Sequence, residues 1–533
     1  MELTDDVITP EEMAIVDMNT VYLGVPALLL MENAGRSIID AILENYPGSI
    51  AGKKIVLFAG LGNNGGDGLV AIRHLSHYGC KGLVLLLGRP EQIRSDLART
   101  NWEVLQKLPL SVKLMSLKDS SQLKDLKKEI MTTDIIIDGI LGTGIKGRIR
   151  EPILSTIKLI NSVPEKSFIA AIDVPTGLDP STGKTQRPTV KANITVTLHK
   201  AKPGLVMKKN EKHTGKVIVK KIGIPWDAEY IVGPGDLANI IKQRSPHSHK
   251  GNYGRLVIIG GGIDYTGAPA LSGMGALRTG ADLVFVITPA KVAVNIRSFS
   301  PDIIVRETPG NVISEESIPI IEEMLNQATG LIIGPGLGLE KESFDTVLKI
   351  LEMVKTNNLP TVVDADGLKA MSQEPAILKG LPAVLTPHAK EYQILTGKEL
   401  PPPENIEERM DKIAETAKEL GVTILLKAHT DVISDGTRVK INRTGNPGMA
   451  VGGTGDVLTG IVGAFLSWRT PPFRAAVSGA FVNGVAGDLA CVEKGYQLLA
   501  SDIVQKIPEI IQPFEYWRES YKSGLQWLGK LKI

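Results

Sequence analysis

The sequence predicts an α/β fold of two domains, each built on a mostly parallel sheet. The chain has 533 residues, more than one ordinary hydrophobic core supports. Short β-branched segments alternate with helical patterns in two successive series, which is typical of βαβ units. Between the series the chain passes through Gly233-Pro234-Gly235 to the polar stretch Gln243–Lys250, where we place the domain boundary.

The first series opens with a helix. Thr9 is its predicted N-cap, Pro10 takes the first helical position and Glu12 the third. The apolar residues that this helix should bury are Met13, Ile15 and Val16. The strands predicted after it are Lys54–Ala59, Gly82–Leu87, Asp134–Gly139, Phe168–Val174, Asn193–Leu198 and Lys216–Ile222, with a helix that ends at Gly79 after the first of them.

The second series repeats the class of the first but not its motif spacing, so we predict no internal duplication. Its predicted strands are Arg255–Gly260, Leu283–Thr288, Leu331–Gly334, Thr361–Asp364, Ala383–Thr386 and Thr423–Lys427. The domains should span residues 1–226 and 235–512. In the tail, 513–533, aromatic residues stand among charges, which favours a packed terminal helix over Phe514–Ile533.

Composition limits the partners and the compartment. The 60 Lys and Arg residues nearly balance the 58 Asp and Glu residues, so no global field should attract nucleic acid or an anionic membrane. Cys80 and Cys491 are far apart and form neither a disulfide framework nor a zinc motif. The acidic N-terminus does not resemble a signal peptide, and no apolar run approaches the length of a membrane span. We expect a cytoplasmic protein.

A glycine-rich turn in the second half has the outline of a phosphoryl-transfer site. Gly453-Thr454-Gly455 precedes Asp456, and a long apolar helical pattern follows. Backbone N–H groups at such a helix start would stabilise anionic oxygens, while Asp456 could accept a proton from a substrate hydroxyl. The alternative is a glycine-rich connector with a helix-capping Asp.

Another glycine-rich loop, Gly60–Gly68, formally contains GxGxxG and should lead into a helix that begins at Leu69. The dinucleotide interpretation is only partly supported, because no acidic residue follows about twenty positions later and Asp67 would repel a pyrophosphate. We therefore predict a different kind of glycine-rich loop.

Polar residues end three strands of the same half, where parallel sheets bind ligands. Oxygen donors from Asn64, Asp138 and Thr176 could converge on a hard cation. The segment Gly142–Arg148 could surround phosphates with backbone amides and two cationic side chains. Each segment alone could also be an ordinary turn, and their occurrence at successive strand ends favours a site.

The N-terminal half resembles the NAD(P)H-hydrate epimerases. Leu30-Met31-Glu32-Asn33-Ala34-Gly35, the Asn63–Gly68 loop, the Gly142–Gly144 turn and Asp173–Asp179 occur in that family's order. The resemblance implies that one K⁺ is bound by Asn64, Asp138 and Thr176, where the family often has serine in place of Thr176. The residues implied to contact the hydrated nucleotide are Asn63, Asn64, Gly65, Gly66, Asp67, Gly142, Thr143, Gly144, Ile145, Lys146, Gly147, Arg148 and Asp173.

The implied reaction interconverts the R and S hydrates at C6 of a damaged dihydronicotinamide. A bond at that carbon must break reversibly with acid–base help, and Asp173 is our candidate for the proton transfer. The alternative is that Asp173 only orients a ribose or caps the turn that follows it.

The second half lacks the Walker motif GxxxxGK[ST], so it must hold nucleotide phosphates in another way. It resembles the ADP- or ATP-dependent NAD(P)H-hydrate dehydratases, a branch of the ribokinase-like fold, over about residues 235–510. The motifs that carry the resemblance are His249–Gly254, Gly260–Gly262, Thr266–Pro269, Gly334–Gly338, Thr386–Glu391, Gly453–Asp456 and Gly495–Asp502.

This second resemblance implies a hydrate site lined by Ala268, Gly336, His388 and Asp456. The implied ADP contacts are Lys427, Ala428, His429, Thr430, Asp431, Gly453, Thr454 and Gly455. Asp456 would deprotonate the C6 hydroxyl as it attacks the terminal phosphoryl group, and elimination of phosphate would then restore the dihydronicotinamide and leave AMP. Mg²⁺ is a further candidate at the nucleotide. The alternative for His388 is a core or turn histidine held by its neighbours, and Lys390 and Glu391 could simply form the solvated start of a helix.

The leading hypothesis is therefore a bifunctional enzyme, isomerase and hydro-lyase, that repairs hydrated NADH and NADPH. The family resemblance also implies a homo-oligomer, and nothing in the sequence requires a tunnel between the sites. A second hypothesis makes the C-terminal domain a kinase for a vitamin-type hydroxymethyl substrate. A third makes the N-terminal domain a nucleotide-binding sensor without catalysis.

Overall fold

The computed structural model describes residues 7–144 and 147–515. Contacts within the chain divide it between Pro225 and Trp226 into two compact units. Each unit contains one sheet with its own hydrophobic cores, so the prediction of a two-domain α/β protein is confirmed.

The first unit contains a seven-stranded parallel sheet in the order β3-β2-β1-β4-β5-β6-β7. Its strands are β1 Lys54–Ala59, β2 Lys81–Leu87, β3 Val112–Leu117, β4 Ile135–Gly139, β5 Phe168–Ile172, β6 Ile194–Leu198 and β7 Lys216–Lys220. The six predicted strands are confirmed, with ends that differ by one or two residues. The edge strand β3 was not predicted, because Lys113 and Ser116 interrupt its apolar pattern.

Helices cover both faces of this sheet, which gives three layers. They are α1 Pro10–Tyr22, α2 Ala27–Asn45, α3 Asn63–Leu75, α4 Asp96–Gln106, α5 Gln122–Ile130, α6 Ile153–Ile160 and α7 Glu211–Thr214. Alternate residues of β1 point to opposite faces, so Leu57 packs in the core formed with α2, α3 and α4, and Phe58 in the core formed with α5 and α6. The predicted start of α1 is confirmed, since the Thr9 side chain accepts from Glu12 N at 3.1 Å.

The predicted helix start at Leu69 is wrong. Helix α3 begins six residues earlier, at Asn63, so the glycine-rich segment forms its first turns. A Cβ at Gly65 would lie 2.1 Å from the carbonyl oxygen of Gly60, so only glycine allows this close approach. Tertiary packing therefore outweighs the low helix propensity of glycine.

The second unit contains a nine-stranded sheet in the order β10-β9-β8-β11-β12-β13-β14-β15-β16. Its strands are β8 Arg255–Ile259, β9 Leu283–Pro289, β10 Ile304–Thr308, β11 Gly330–Ile333, β12 Thr361–Val363, β13 Ala383–Leu385, β14 Thr423–Leu426, β15 Asp431–Ser434 and β16 Val439–Asn442. The six predicted strands are confirmed. The sequence did not predict the edge strand β10 or the antiparallel pairing of β14, β15 and β16.

Within residues 226–515, the described part of the second unit, there are twelve α-helices. They are α8 Asp227–Tyr230, α9 Pro234–Ile240, α10 Gly267–Thr279, α11 Ala290–Phe299, α12 Ile318–Leu325, α13 Lys341–Thr356, α14 Asp366–Met371, α15 Ala389–Thr396, α16 Ile406–Leu420, α17 Thr454–Ser467, α18 Pro472–Lys494 and α19 Ala500–Glu515. The predicted terminal helix over Phe514–Ile533 overlaps the end of α19, and positions 516–533 lie outside the described residues.

One described stretch, Pro472–Gln497, is long and apolar enough to cross a membrane by length and composition. The expectation that no apolar run approaches that length is therefore wrong. Most of the stretch is buried, because α18 packs against α17, α19 and α9 in the second unit. This is the environment of a core helix.

In both sheets the order of the strands reverses beside the first strand of the series. The reversal lies between β1 and β4 in the first unit and between β8 and β11 in the second. Loops that leave the carboxyl ends of such neighbours diverge to opposite faces and open a crevice. The predicted site residues follow these strand ends.

Candidate active sites

In the first unit, Asp138 lies near the carboxyl end of β4 and is fully buried. Thr176 donates to both of its carboxylate oxygens, from Oγ1 at 2.7 Å and from the backbone N–H at 2.8 Å. Burial raises the pKa of Asp138 to about 6, because desolvation outweighs the hydrogen bonds from Thr176 and the backbone N–H of Ile140. Two of the three predicted potassium ligands are thus in direct contact.

Asn64, the third predicted ligand, lies in the first turn of α3. Its side-chain nitrogen is buried and has no hydrogen-bond partner among the described residues. A Cβ at Gly142 would lie 3.3 Å from Asn64 Oδ1, and the neighbouring Leu141 N donates to Thr176 Oγ1 at 3.1 Å. A carboxylate, a hydroxyl and the amide oxygen of Asn64 lie around one short segment, and such oxygen donors fit a hard cation.

This donor set contains a single carboxylate, as expected for a monovalent ion. Across residues 7–144 and 147–515, no group of three or more His, Cys, Asp or Glu could hold a metal ion. A potassium site at Asp138 would therefore depend mainly on neutral oxygens.

Asp173 follows β5 with a φ of 60°, a left-handed conformation that costs energy in a non-glycine residue. Its Oδ1 accepts from Lys202 Nζ at 2.5 Å, Thr197 Oγ1 at 3.1 Å and Leu198 N at 3.3 Å. These bonds tie the carboxylate to the end of β6 and not to the turn that follows Asp173. Oδ2 has no hydrogen-bond partner among the described residues and can accept a proton.

Two more carboxyl groups lie in the electrostatic field of Asp173 and Lys202. Asp67, in α3, is 8% exposed, and burial with the charges of Asp173 and Asp17 raises its pKa well above the ordinary value. For Asp17, in α1, desolvation and the charge of Asp173 raise the pKa to about 7, while Lys202 acts in the opposite direction. A protonated Asp67 would not repel a phosphate, so the electrostatic objection raised from the sequence does not apply to the neutral form.

The predicted phosphate-binding segment is only partly described. Gly142, Thr143 and Gly144 follow β4, with Gly142 next to Asn64, while Ile145 and Lys146 lie outside the described residues. Gln186 holds the far side of the segment, since it donates to Gly147 O at 2.9 Å and accepts from Ile149 N at 3.0 Å. The Arg148 side chain is exposed.

The Leu30–Gly35 motif has a structural role. Glu32 bonds Arg73 and His74 of α3, and Asn33 Nδ2 donates to Ile222 O at 2.9 Å. A Cβ at Gly35 would lie 2.2 Å from a Val70 methyl group, so α2 and α3 approach closely. The motif therefore positions α3, which carries Asn64 and Asp67.

In the second unit, the predicted phosphate turn forms the N-terminus of α17. Gly453 is the N-cap with a φ of 96°, and Asp456 lies in the first turn. The first backbone N–H groups of a helix have no partners within the helix, so those of this turn are available to anionic oxygens. The Ser272 hydroxyl of α10 donates to the Asp456 carbonyl at 2.9 Å and holds the turn in place.

A buried ion pair lies beside this turn. Asp364, directly after β12, accepts from Lys427 Nζ at 2.8 Å and from Thr459 Oγ1 at 2.7 Å. Burial alone would raise the pKa of Asp364, but the Lys427 charge and these hydrogen bonds outweigh it and lower the pKa. A Cβ at Gly455 would lie 3.4 Å from Lys427 Nζ, which places this ammonium group at the phosphate turn.

The Asp456 carboxyl has no hydrogen-bond partner among the described residues. Its pKa is raised to about 7 by desolvation and by the charge of Asp364, although Lys427 acts in the opposite direction. A carboxylate with a pKa near neutrality is suited to general-base catalysis at physiological pH.

Two of the residues predicted to bind the hydrate, Ala268 in the first turn of α10 and Gly336 in the loop after β11, pack against each other. A Cβ at Gly336 would lie 2.6 Å from Tyr265 O and 3.3 Å from Ala268 Cβ, and Gly336 has a φ of 62°, so glycine is required there. The side chains of Ile263, Tyr265 and Leu339 project from these loops and are exposed. The structure brings Ala268 and Gly336 together beneath an apolar rim.

His388 is the N-cap of α15. Its Nδ1 accepts from the backbone N–H groups of Lys390 and Glu391 at 3.1 and 3.3 Å, and Glu391 bonds the His388 N–H in return. A backbone bridge also pairs His388 with Lys427. His388 is thus held by its neighbours at the start of a helix, and its exposed imidazole belongs to the residue that pairs with Lys427.

The predicted nucleotide segment Lys427–Asp431 connects β14 to β15. Asp431 accepts from Ala428 N and from Asn442 Nδ2, both at 3.0 Å, and shapes this turn from the inside. Desolvation raises its pKa to about 6. Ala428 and His429 are exposed and can contact a ligand, whereas Asp431 supports the loop.

Sequence reasoning missed Asp17, Lys202, Asp364 and Thr459. Asp364 carried a usable signal, since it directly follows an apolar strand as Asp173 does. The other three lie within helices or loops whose pattern shows no sign of their neighbours.

Comparison with known proteins gives two family matches. Residues 27–204 match the model of the YjeF-related protein N-terminus, and residues 256–509 match NAD(P)H-hydrate dehydratase. A solved structure of ADP/ATP-dependent NAD(P)H-hydrate dehydratase from Bacillus subtilis, co-crystallised with ATP/Mg²⁺, has 26% sequence identity and a TM-score of 0.44, and covers 54% of this chain and 99% of that one.

Two relatives match almost the whole chain. The bifunctional NAD(P)H-hydrate repair enzyme Nnr of Pyrobaculum aerophilum is 42% identical over 513 residues, 96% of this chain and 99% of its own. The enzyme of the same name from Hyperthermus butylicus is 41% identical over 509 residues, 95% of this chain and 92% of its own. Both resemblances predicted from the sequence are confirmed. The chain belongs to the family of bifunctional NAD(P)H-hydrate repair enzymes.

Proposed function

We propose that each unit performs one step in the repair of hydrated NADH and NADPH, and we assign residues to both steps. The first unit epimerises the R and S hydrates, and the second dehydrates the S hydrate with ADP as phosphoryl donor. The observation that carries the assignment is the Asp456 carboxyl at the start of α17, with a pKa of about 7 and the Lys427 ammonium beside the same turn.

In the dehydratase step, the oxygen of the C6 hydroxyl attacks the terminal phosphoryl group of ADP, and Asp456 takes the proton of that hydroxyl. The amides of Gly453, Thr454 and Gly455 and the Lys427 ammonium stabilise the charge on the transferred group. AMP leaves, the C6–O bond then breaks with release of inorganic phosphate, C5 loses a proton to solvent, and the C5=C6 double bond of the dihydronicotinamide is restored. Phosphorylation is needed because hydroxide is a poor leaving group.

The hydrate lies against Ala268, Gly336 and His388 in this proposal, under the rim formed by Tyr265 and its neighbours. The exposed turn Ala428–Thr430 is the candidate contact for the rest of the nucleotide. Mg²⁺, if it accompanies ADP, would neutralise phosphate charge. It would be held mainly by the phosphates, because the described part of the chain offers no cluster of three ligating side chains.

In the epimerase step, Asp173 exchanges a proton with the hydrate through its free Oδ2, while Lys202 and Thr197 fix its orientation. Asn64, Asp138 and Thr176 would hold K⁺, which would supply a positive charge to the site. The first turns of α3 and the segment after β4 contact the nucleotide. We further propose a cytoplasmic homo-oligomer that acts on small molecules and binds neither nucleic acid nor membrane.

The kinase and sensor hypotheses are less well supported than repair, since the whole-length relatives bear the repair enzyme's name. A kinase would accumulate a phosphorylated product, whereas the dehydratase releases inorganic phosphate with each NADH or NADPH formed. Phosphate release therefore distinguishes these two activities.

The test is recovery of dihydronicotinamide absorbance from mixed R and S NADH hydrates, with ADP, ATP or neither. Wild type should recover the whole mixture with ADP, while Asn64→Ala should stop near the S fraction. Exchange of K⁺ for tetramethylammonium should produce the same partial recovery. Asp411→Asn, an exposed change in α16, serves as control. No recovery by wild type with either nucleotide would refute the repair proposal.

A further inference from the structure

In the second unit, the chain turns sharply directly after β12. Ala365 has a φ of 49° and a ψ of −118°, a conformation that costs energy in a residue with a side chain. It separates Asp364, which follows the strand, from Asp366, the first residue of α14. Strained backbone persists where the surrounding structure fixes it, and such positions cluster at functional sites. The turn therefore points to a function for the two carboxyl groups that flank it.

These two carboxyl groups contact different parts of the site. Asp364 bonds Lys427 and so holds the ammonium group at the phosphate turn. Asp366 instead contacts the loop after β11, since its Oδ2 accepts from the backbone N–H of Gly338 at 3.0 Å. Its Oδ1 accepts from Lys369 Nζ at 2.8 Å. The Asp366 side chain is 12% exposed, so both of its bonds lie largely out of water, where they are stronger.

The loop that Asp366 holds is a wall of the proposed hydrate site. This loop, Gly334–Gly338, contains Gly336, which approaches Ala268 so closely that a Cβ at Gly336 would lie 3.3 Å from the Cβ of Ala268. The bond from Gly338 to Asp366 lies two residues beyond Gly336. It ties the far end of the loop to the turn after β12.

The two loops also meet backbone to backbone. A Cβ at Gly334 would lie 1.9 Å from Asp364 O and 2.7 Å from the backbone nitrogen of Gly367. Gly334 also has a φ of 122°, so glycine is required there. Since no side chain separates the loops at this point, a shift of Asp366 is transmitted directly to the loop that carries Gly336.

The turn after β12 is also close enough to Asp456 to act on it electrostatically. Desolvation is the largest cause of the raised pKa of Asp456, and the charges of Asp364 and Asp366 add to it, while Lys427 opposes them. One strand end therefore lies near the base, the ammonium group and the wall of the hydrate site.

We propose that Asp366 is a positioning residue of the dehydratase: its carboxylate holds the Gly334–Gly338 loop so that the loop seats the dihydronicotinamide with its C6 hydroxyl toward Asp456. The strained turn at Ala365 thus aligns the two substrates. Asp364 fixes the lysine on the ADP side, and Asp366 fixes the loop on the hydrate side. The inference rests on the function proposed for the second unit.

The experiment compares Asp366→Asn with Asp366→Glu in the full-length protein. Asp366→Asn keeps an oxygen where Gly338 donates but removes the charge and the ion pair with Lys369. Asp366→Glu keeps the charge, including its favourable place in the first turn of α14, but moves the oxygens by one methylene group. The two variants therefore separate the position of the acceptor from its charge. Asp366→Ala removes both.

Initial rates of NADH formation from purified S hydrate and ADP give the first readout. Asp366→Asn should keep kcat/KM for the hydrate within about fivefold of wild type, because a neutral acceptor can replace the carboxylate. Asp366→Glu and Asp366→Ala should lower it by about 10- to 100-fold, since misplacing a substrate by about 1 Å costs up to that factor.

Affinity for ADP separates positioning of the hydrate from general loss of structure. Because Asp364 still holds Lys427 in all three variants, titration calorimetry with ADP alone should give a Kd within about twofold of wild type. The matched control is Lys369→Met, which removes the ion pair but leaves the bond between Asp366 and Gly338. It should retain the wild-type rate and the wild-type affinity for ADP.

Each remaining outcome decides against one of the two proposals. If wild type forms no NADH, the proposed dehydratase function itself fails. If wild type is active and Asp366→Glu matches it while Asp366→Asn is impaired, the charge matters and the positioning role is wrong. The role is also wrong if all variants match wild type. Loss of ADP affinity in parallel with the rate, together with a lowered melting temperature, would show that Asp366 only supports the fold.

Discussion

In the second unit, two neighbouring carboxyl groups have pKa values that their partners shift in opposite directions. Asp364 and Asp456 both lie near Lys427, but Lys427 and Thr459 bond directly to Asp364 and lower its pKa. Asp456 has no such bond, and the negative Asp364 adds to its desolvation, so its pKa rises to about 7. When two carboxyl groups in one site have different pKa values because of their surroundings, they commonly have different catalytic roles. Asp364 positions the lysine, and Asp456 is left to act as the base.

The first prediction concerns the pH dependence of dehydration. Asp456 accepts a proton only in its ionised form, so kcat/KM for S hydrate and ADP should rise as pH increases through about 7 and then level off. Asp456→Asn should reduce kcat by about 100-fold or more and remove this dependence. The rates are measured by stopped-flow absorbance from about pH 5.5 to about pH 8.5, so that the range extends to both sides of the transition.

A flat wild-type profile over that range would contradict the role of Asp456. The control is Asp411→Asn, which is exposed and should leave both the rate and its pH dependence unchanged. Epimerisation, measured without ADP, should be unaffected in Asp456→Asn because that residue lies in the other unit.

At the scale of elements, the short helix α9, which precedes the second sheet, is held in place by buried ion pairs. Asp236 of α9 is fully buried, and its Oδ1 lies 2.7 Å from Lys440 Nζ of β16 and 3.9 Å from an Arg474 nitrogen of α18. Its Oδ2 accepts from Gly233 N at 3.0 Å, which closes the start of α9. One carboxylate therefore joins three elements and compensates two cations that are each less than 10% exposed.

We predict that Asp236→Ala destabilises the second unit by about 3–5 kcal/mol, because it leaves two buried cations without their carboxylate. Urea denaturation followed by tryptophan fluorescence should show the loss. Glu415→Ala, which removes an exposed ion pair with Lys412, should change stability by less than about 1 kcal/mol. Similar small effects in both variants would mean that water or rearrangement compensates the buried charges.

Elements whose sequence pattern is set by neighbouring residues could be predicted, and elements set by contacts with distant residues could not. Strands buried on both faces, such as β1 and β4, have continuous apolar sequences and were recognised. The edge strand β10 has the burial pattern of an exposed segment, and its order is imposed by pairing with β9. The start of α3 was misplaced because glycine has a low local helix propensity. Glycine is required at position 65 by its close approach to Gly60, and that approach exists only in the folded chain.

For the whole molecule, the two units have separate sheets and separate cores. The clusters that contain Leu57 and Phe58 lie within the first unit, and the large cluster that contains Val363 and Tyr392 lies within the second. A unit with its own core is expected to fold without its neighbour.

The corresponding prediction is that residues 1–225 and 226–533, produced separately, each keep one activity. The first fragment should interconvert R and S hydrates, and the second should dehydrate the S hydrate with ADP. Mixed in equal amounts, they should recover a mixed hydrate sample completely, as monitored by absorbance. If circular dichroism shows that the separate fragments are folded, yet they are active only when joined, then each site needs the other unit.

The sequence by itself determined the class of fold, the order of the two families along the chain and most of the polar residues at the strand ends. Those features are local, since a glycine turn, an N-cap or a buried strand is encoded by neighbouring residues. Asn64, Asp138 and Thr176, and likewise Asp456 and Lys427, could be selected individually on that basis.

Only the tertiary structure decided how these residues act on one another. Asp364 and Lys427 are 63 positions apart, yet Lys427 Nζ lies 2.8 Å from Asp364 Oδ1 because the loops that follow β12 and β14 end at the same edge of the sheet. Burial, hydrogen bonding and neighbouring charge set a pKa, and all three depend on packing between distant segments. The chain therefore specifies which groups are present, and folding determines which of them hold protons and can transfer them.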